Sequence, residues 1–182
     1  VDTEVALSGV LHQAEPFERA ALVCHPHPAF GGTMETALVV ALCQGLAAAG
    51  TTALRFDFRG VGRSTGRATG GQEEHLDVLS CLDWLDQRAG MEPHLVGYSF
   101  GAAMALSALS RGGRVASACC VGLPTVTITH HDDTVTRLQD VASSGQRLLF
   151  ISGDEDQFSD PAWIEQTLQG PDVTVETLVG QG

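Results

Sequence analysis

The segment with the clearest chemical signature is Gly97-Tyr98-Ser99-Phe100-Gly101. The sequence predicts a buried strand over His94–Tyr98 and a helix of small residues over Phe100–Leu109. A serine flanked at this spacing by glycines fits a sharp strand-to-helix turn, because larger side chains would collide across it. Such a turn holds a hydroxyl at a helix N-terminus, where developing negative charge is favoured. The segment therefore predicts Ser99 as a nucleophile, with a merely structural turn as the alternative.

The elements around this turn alternate short apolar strands with amphipathic helices, which predicts a mostly parallel sheet covered on both faces. The predicted strands are 5–13 (an antiparallel edge strand), 20–24, 52–58, 94–98, 115–121, 147–152 and 173–179. The predicted helices are 33–49 with Thr33 as N-cap, 72–88, 100–109 and 161–168. Residues 123–144 are predicted to be irregular and too short for a second domain, so residues 1–182 form one domain.

Composition narrows the classes of function. The net charge is −12 and every basic residue is arginine, which argues against nucleic-acid binding and disfavours strongly anionic substrates. The absence of lysine removes Schiff-base and Ser–Lys chemistry. No apolar run reaches the ~18 residues that a membrane span needs, and no export signal opens the chain. Together with five cysteines that form no CxxC pair, this predicts a cytoplasmic protein with reduced, buried thiols.

Two further blocks accompany the serine turn. They are His25-Pro26-His27-Pro28-Ala29-Phe30-Gly31-Gly32-Thr33-Met34 and Arg55-Phe56-Asp57-Phe58-Arg59-Gly60-Val61-Gly62-Arg63-Ser64. With these motifs the chain resembles, over essentially its whole length, the small bacterial α/β-hydrolases, which are serine hydrolases with an HPxP…GG loop. The resemblance implies an α/β-hydrolase fold with a minimal cap. It also implies that the C-terminal helix of that fold is absent from this chain.

An ester-cleaving site needs two N–H donors for the oxyanion. The residue after the nucleophile, Phe100, is expected to supply one from its backbone. The other is expected from the loop after strand 20–24, where the prolines have no N–H, so His27, Ala29 and Phe30 are the candidates. The likeness to the family's His-Gly-x loops favours His27.

The acid and the base follow from the chain order Ser…Asp/Glu…His. The family pattern Gly-x-x-Asp at the end of strand 147–152 implies Asp156 as the acid, with Asp154 as the alternative. The family places its histidine after the last strand, where this sequence reads Gly180-Gln181-Gly182. We expect the sequence to stop just before that histidine; the alternative is a catalytically silent relative.

Other polar residues invite functional interpretations. His25 and His27 could share a metal ion, but no acidic or cysteine partner stands at ligand spacing, so hydrogen bonding within the loop is expected for His25. Residues 130–133 (His-His-Asp-Asp) are expected to form a solvated loop. Asp57 and Arg59 are expected to tie down their own loop rather than to touch substrate. We expect no metal and no cofactor.

The predicted activity is hydrolysis of small or medium carboxylic esters or thioesters through an acyl-Ser99 intermediate. A non-catalytic binding module is the alternative, as is an acyltransferase or perhydrolase that uses the same site. The expected partner is a small-molecule ester or thioester, with neither nucleic acid nor membrane, and a homodimer is compatible with the sequence.

Overall fold

The computed structural model describes residues 4–128 and 132–181. Within them one seven-stranded sheet has the order β1-β3-β2-β4-β5-β6-β7, where β1 is antiparallel to β3 and the other neighbours are parallel. The strands are β1 Gly9–His12, β2 Ala20–Cys24, β3 Thr52–Phe56, β4 His94–Tyr98, β5 Ser117–Val121, β6 Leu148–Gly153 and β7 Val173–Leu178. The predicted mostly parallel sheet with an antiparallel edge strand is therefore confirmed, although β1, β3, β5 and β7 are shorter than predicted.

Helices cover both faces of the sheet. They are α1 Ala37–Ala48, α2 Glu74–Ala89, α3 Phe100–Leu109, α4 Thr125–Ile128, α5 Asp132–Ser143 and α6 Pro161–Thr167, with a 3-10 helix at Pro28–Phe30. Successive residues of β2 serve different faces: Leu22 belongs to the large core and Val23 to the small core under α1. The large core also includes buried residues from α2, α3, α5 and α6. This arrangement places β4, which leads to Ser99, in the middle of the sheet.

The cysteines belong to these cores. All five are free, four of them are buried and Cys119 is half-buried. Burial raises the pKa of Cys43 to about 11 and that of Cys81 to about 12. These thiols therefore stay protonated and pack as small apolar side chains.

The prediction that 123–144 is irregular was wrong, since α4 and α5 occupy most of this stretch. In α5, Leu138, Val141 and Ala142 recur at helical spacing and are buried in the large core. The first turns of α5 carry aspartates and threonines, which have low helix propensity, and packing of the later residues against the core overrides it. Because α5 packs into the core, it belongs to the helical layer, so the described part of 123–144 forms no separate cap.

The first helix also differs from the prediction. It begins at Ala37 with Thr36 as N-cap, so the prediction of Thr33 as N-cap was wrong. The Met34 N–H donates to Asp57 Oδ1 at 2.9 Å, and Arg55 donates to the Met34 carbonyl at 2.9 Å. These bonds hold the segment before α1 against the end of β3 instead of letting it continue the helix.

Candidate active site

The turn between β4 and α3 has the geometry that the sequence predicts. Ser99 has φ 54° and ψ −115°, and among the described residues it is the one non-glycine with a positive φ. Its N–H donates to the Val121 carbonyl at the end of β5 at 2.8 Å, and its carbonyl accepts from Ala102 at 2.9 Å. The turn is thus fixed to both the sheet and the helix, with the Ser99 side chain half-buried at its apex.

The flanking glycines are required by close backbone contacts. A Cβ on Gly97 would lie 2.5 Å from the Ala102 Cα and N atoms. A Cβ on Gly101 would lie 2.4 Å from the Cys24 carbonyl oxygen at the end of β2. Both distances are shorter than real Cβ contacts, so neither position accepts a side chain unless the backbone moves.

The loop after β2 approaches the same turn. The N–H of Ala29 donates to His27 Nδ1 at 3.1 Å, and the N–H of Phe30 donates to the His27 carbonyl at 3.1 Å. Within the described part of the chain, neither the His27 nor the Phe100 N–H has a hydrogen-bond partner. The backbone of Gly32 passes close to the start of the loop, and a Cβ added there would lie 2.1 Å from the Pro26 carbonyl oxygen. Of the three loop donors considered from the sequence, His27 is therefore the one with a free N–H.

Aromatic rings connect this loop to the turn. The His27 ring lies edge-to-face with that of Phe100, with 4.8 Å between centroids, and 5.5 Å from that of Phe30. The Phe100 ring also packs on Phe58, whose ring centroid is 5.5 Å away. The two residues predicted to supply the oxyanion donors are thus in contact.

The two candidate acids have different surroundings. Asp156 is half-buried, its Oδ1 accepts from the Phe158 N–H at 2.8 Å, and its Oδ2 would lie 3.3 Å from a Cβ on Gly122. Gly122 directly follows Val121, the residue that accepts the Ser99 N–H, so Asp156 faces the edge of the sheet that carries the turn. The exposed Asp154 instead accepts from the N–H groups of Gly180 at 2.7 Å and Gln181 at 3.3 Å. Asp154 is therefore occupied in holding the turn after β7.

His25 is fully buried and both of its ring nitrogens are bonded. Nδ1 lies 2.7 Å from the Pro26 carbonyl oxygen, and Nε2 accepts from the Phe58 N–H at 3.2 Å. Burial lowers the pKa of His25, while the bond to Pro26 and the charge of Asp57 oppose this shift. A neutral ring with its proton on Nδ1 satisfies both bonds, which agrees with the structural role expected for His25.

Asp57 and Arg59 also serve the scaffold, but their partners were not predicted. Asp57 holds Met34, as described above, and a Cβ on Gly62 would collide with its carboxylate. Arg59 donates to the buried carboxylate of Asp77 on α2 from Nε at 3.0 Å and Nη2 at 2.8 Å, and forms a short ion pair with Glu73. Asp77 was not predicted as a partner of Arg59, because its single cue in the sequence is an acidic residue on the buried face of a helix.

No histidine of the described residues bonds to Ser99 Oγ or to the Asp156 carboxylate. His130 and His131, expected in a solvated loop, lie outside the described residues. Residues 4–128 and 132–181 contain no group of three or more His, Cys, Asp or Glu that could hold a metal ion. Among the same residues, no helix is both long and apolar enough to cross a membrane.

Comparisons with known proteins identify the family and the fold of the chain. Residues 19–181 match the family described as alpha/beta hydrolase domain. An alpha-beta serine hydrolase homologue from Coxiella burnetii superposes with a TM-score of 0.80 and 26% identity, over 96% of this chain and 82% of that chain. An α/β serine hydrolase without lid from Xanthomonas campestris superposes with a TM-score of 0.77 and 26% identity, over 96% of this chain and 79% of that chain.

The uncharacterized protein RP471 of Rickettsia prowazekii (strain Madrid E) is 37% identical over 114 residues, which is 62% of this chain and 48% of that protein. The match thus spans about half the length of this relative. The family match covers most of the chain, and the neighbouring structures share its sheet and helices. The chain therefore belongs to the alpha/beta hydrolase domain family, and its class is that of an α/β hydrolase.

Proposed function

We propose that this chain is the catalytic domain of a serine hydrolase that cleaves small or medium carboxylic esters or thioesters through an acyl-Ser99 intermediate. The observation that carries the proposal is the Ser99 backbone, with φ 54° between two glycines that have no room for a side chain. A sparsely populated backbone conformation costs about 1–3 kcal/mol and is typical of functional sites. A scaffold that only needed a turn here would be more stable with glycine at its apex.

In the proposed reaction, Ser99 Oγ attacks the carbonyl carbon while a base takes its proton. The carbonyl oxygen becomes an oxyanion that accepts hydrogen bonds from the free N–H groups of Phe100 and His27. Collapse of this intermediate breaks the bond to the leaving oxygen or sulfur, which takes the proton from the base. Water then hydrolyses the acyl-Ser99 by the same steps and restores the serine.

Asp156 is the proposed acid that orients the base and stabilises its cationic form. Its position beside Gly122 supports this role, and the engagement of Asp154 with the turn after β7 argues against the alternative acid. The proposed base is a histidine that follows β7 in the natural full-length protein, after Gly182. The bonds from Gly180 and Gln181 to Asp154 would then fix the segment leading to it.

Active-site labelling of the natural full-length protein with a fluorophosphonate, followed by turnover of a small ester panel, tests the proposal. Wild type should be labelled at Ser99, and Ser99→Ala should lose labelling and about 10⁶ in kcat with an unchanged melting curve. A Ser99→Ala variant with near-normal kcat would make the nucleophile assignment wrong. A wild type with neither labelling nor turnover would favour a binding module instead.

A further inference from the structure

Large apolar side chains are exposed on both sides of the candidate site. Phe30, on the loop after β2, is 90% exposed, and its ring reaches Phe100 through the His27 ring between them. This aromatic row leads from solvent to the residue next to Ser99. A single exposed apolar residue needs no explanation, but apolar groups that converge on a site mark a surface that binds a ligand.

The second apolar group lies beside the proposed acid. Phe158 is 57% exposed and Val126 is 43% exposed. The Phe158 N–H donates to the Asp156 carboxylate at 2.8 Å, and its carbonyl accepts from the Val126 N–H at 3.4 Å and from Thr125 Oγ1 at 3.4 Å. These bonds hold the backbone of Phe158 against the start of α4, so that both exposed apolar residues follow strands that flank the proposed acid.

The order of the strands places the two apolar groups on opposite sides of Ser99. β4, which carries Ser99, lies between β2 on one side and β5 followed by β6 on the other. Phe30 follows β2, whereas Phe158 follows β6 and Val126 follows β5. The base must return a proton to the leaving atom, and Asp156 orients the base, so the leaving group lies on the Asp156 side. The carbonyl oxygen faces the His27 and Phe100 N–H groups, and the acyl group then extends past the His27 ring toward Phe30 on the β2 side.

We propose that this site selects uncharged esters that are apolar on both sides of the scissile bond. Phe158 and Val126 contact the leaving alcohol or thiol, and Phe30 contacts the acyl group. The assignment rests on the proposed function, and it names the substrate class of the same site. The loop after β6 adds four carboxylates at Asp154, Glu155, Asp156 and Asp160, with no basic residue among 154–160. Anionic groups are repelled on this side, which favours uncharged leaving groups.

Two ester series on the natural full-length protein separate the two contacts. Ethyl, butyl and hexyl acetates vary the leaving alcohol at nearly constant basicity, and ethyl acetate, butyrate and hexanoate vary the acyl group. In wild type kcat/KM should rise along both series. Phe158→Ser should lower the preference for hexyl over ethyl acetate about tenfold and leave the acyl preference unchanged, as expected for lost contact with a few methylene groups. Phe30→Ser should do the reverse.

Conservative and remote variants serve as controls. Phe158→Leu keeps an apolar contact and should retain most of the alcohol preference. Met91→Ser removes another exposed apolar side chain, 46% exposed, just before β4 at the opposite edge of the sheet, and should change neither series. The assignment is overturned if Phe158→Ser affects both series equally or neither of them. Fluorophosphonate labelling of Ser99 in every variant distinguishes that result from failure of the proposed function, in which wild type itself is not labelled.

Discussion

At the scale of single residues, the turn at Ser99 is fixed by what surrounds its two glycines. The end of β2 and the start of α3 pass very close to the turn. Helix α3 can therefore follow β4 at once only if positions 97 and 101 are glycine. The positive φ of Ser99 follows from that crowding, since the chain must reverse within one residue. Any substitution that adds a side chain at either glycine should therefore displace Ser99 relative to the proposed oxyanion donors, the N–H groups of Phe100 and His27.

The first prediction concerns Gly101→Val. Its Cβ would lie 2.4 Å from the Cys24 carbonyl oxygen, and a β-branched side chain adds further atoms against backbone that cannot rotate away. We expect loss of ester turnover and a destabilisation of about 3 kcal/mol or more, typical of overpacking in a core. Urea unfolding and kcat/KM measure both effects. Gly45→Ala in α1 is the control, since a Cβ there meets nothing within 4 Å, and it should be neutral or stabilising. A stable, active Gly101→Val protein would disprove the tight turn.

The second prediction separates the two aspartates. Asp156→Asn should lower kcat about 10⁴-fold, because an amide favours the wrong tautomer of the histidine that it orients. Asp154→Asn should cost far less, since the asparagine side-chain oxygen can still accept from Gly180 and Gln181. Steady-state kinetics on one ester measures both variants. If the larger loss occurred in Asp154→Asn, the acid would be Asp154 and the contact of Asp156 with Phe158 would be only structural.

At the scale of elements, the predictions succeeded where local pattern decides the structure. The bounds of β4 and α3 match the predicted ones, because a short apolar run and a run of small residues meet at an obligatory turn. The candidate acid follows β6 as expected, since parallel strands end at one edge of the sheet. Contacts between distant segments could not be predicted: the pairing of Arg59 with Asp77 depends on how α2 lies against the loop after β3. The burial of α5 likewise depends on α3.

The edge strand provides a third prediction, on pH. On β1, His12 Nε2 accepts from Arg55 Nε of β3 at 2.9 Å. Burial, and next the charge of Arg55, lower the pKa of His12, with Glu35 opposing them. In the unfolded chain the imidazole takes up a proton near pH 6.5. Below that pH the unfolded state binds more protons, so this contribution to stability is fully present above about pH 6.5 and is lost as pH falls through the lowered pKa.

The measurement is the free energy of unfolding in urea at pH 7.5 and pH 5.5. Wild type should be less stable at the lower pH. His12→Gln should lose less between the two values, because glutamine accepts from Arg55 without titrating. The remaining loss is expected from His25, His75 and His94, whose pKa values burial also lowers. An equal loss in wild type and His12→Gln would show that the edge contact does not contribute.

At the scale of the whole molecule, the fold brings loops from four strands to one edge of the sheet, and within residues 4–128 and 132–181 no separate cap covers that edge. The turn after β4, the loop after β2, Gly122 after β5 and Asp156 after β6 meet there. The chain around them carries a net charge of −12. An open site in a strongly negative molecule discriminates among substrates by charge before any contact is made, because the summed field acts on the approaching ligand.

The last prediction concerns the effect of this electrostatic field on charged esters. Ethyl butyrate and monoethyl succinate differ mainly by a carboxylate, so their ratio of kcat/KM measures the repulsion of an anion. Raising the ionic strength from about 0.01 M to about 1 M shortens the Debye length from about 30 Å to about 3 Å. We expect kcat/KM for monoethyl succinate to rise several-fold, because screening removes the repulsion, while that for ethyl butyrate stays nearly constant.

An ester with a quaternary ammonium group should show the opposite trend, which separates screening from a general effect of salt on the enzyme. If the anionic ester instead became a poorer substrate as salt increased, the local potential at the site would be positive, and arginines would have to outweigh the carboxylates of the loop after β6.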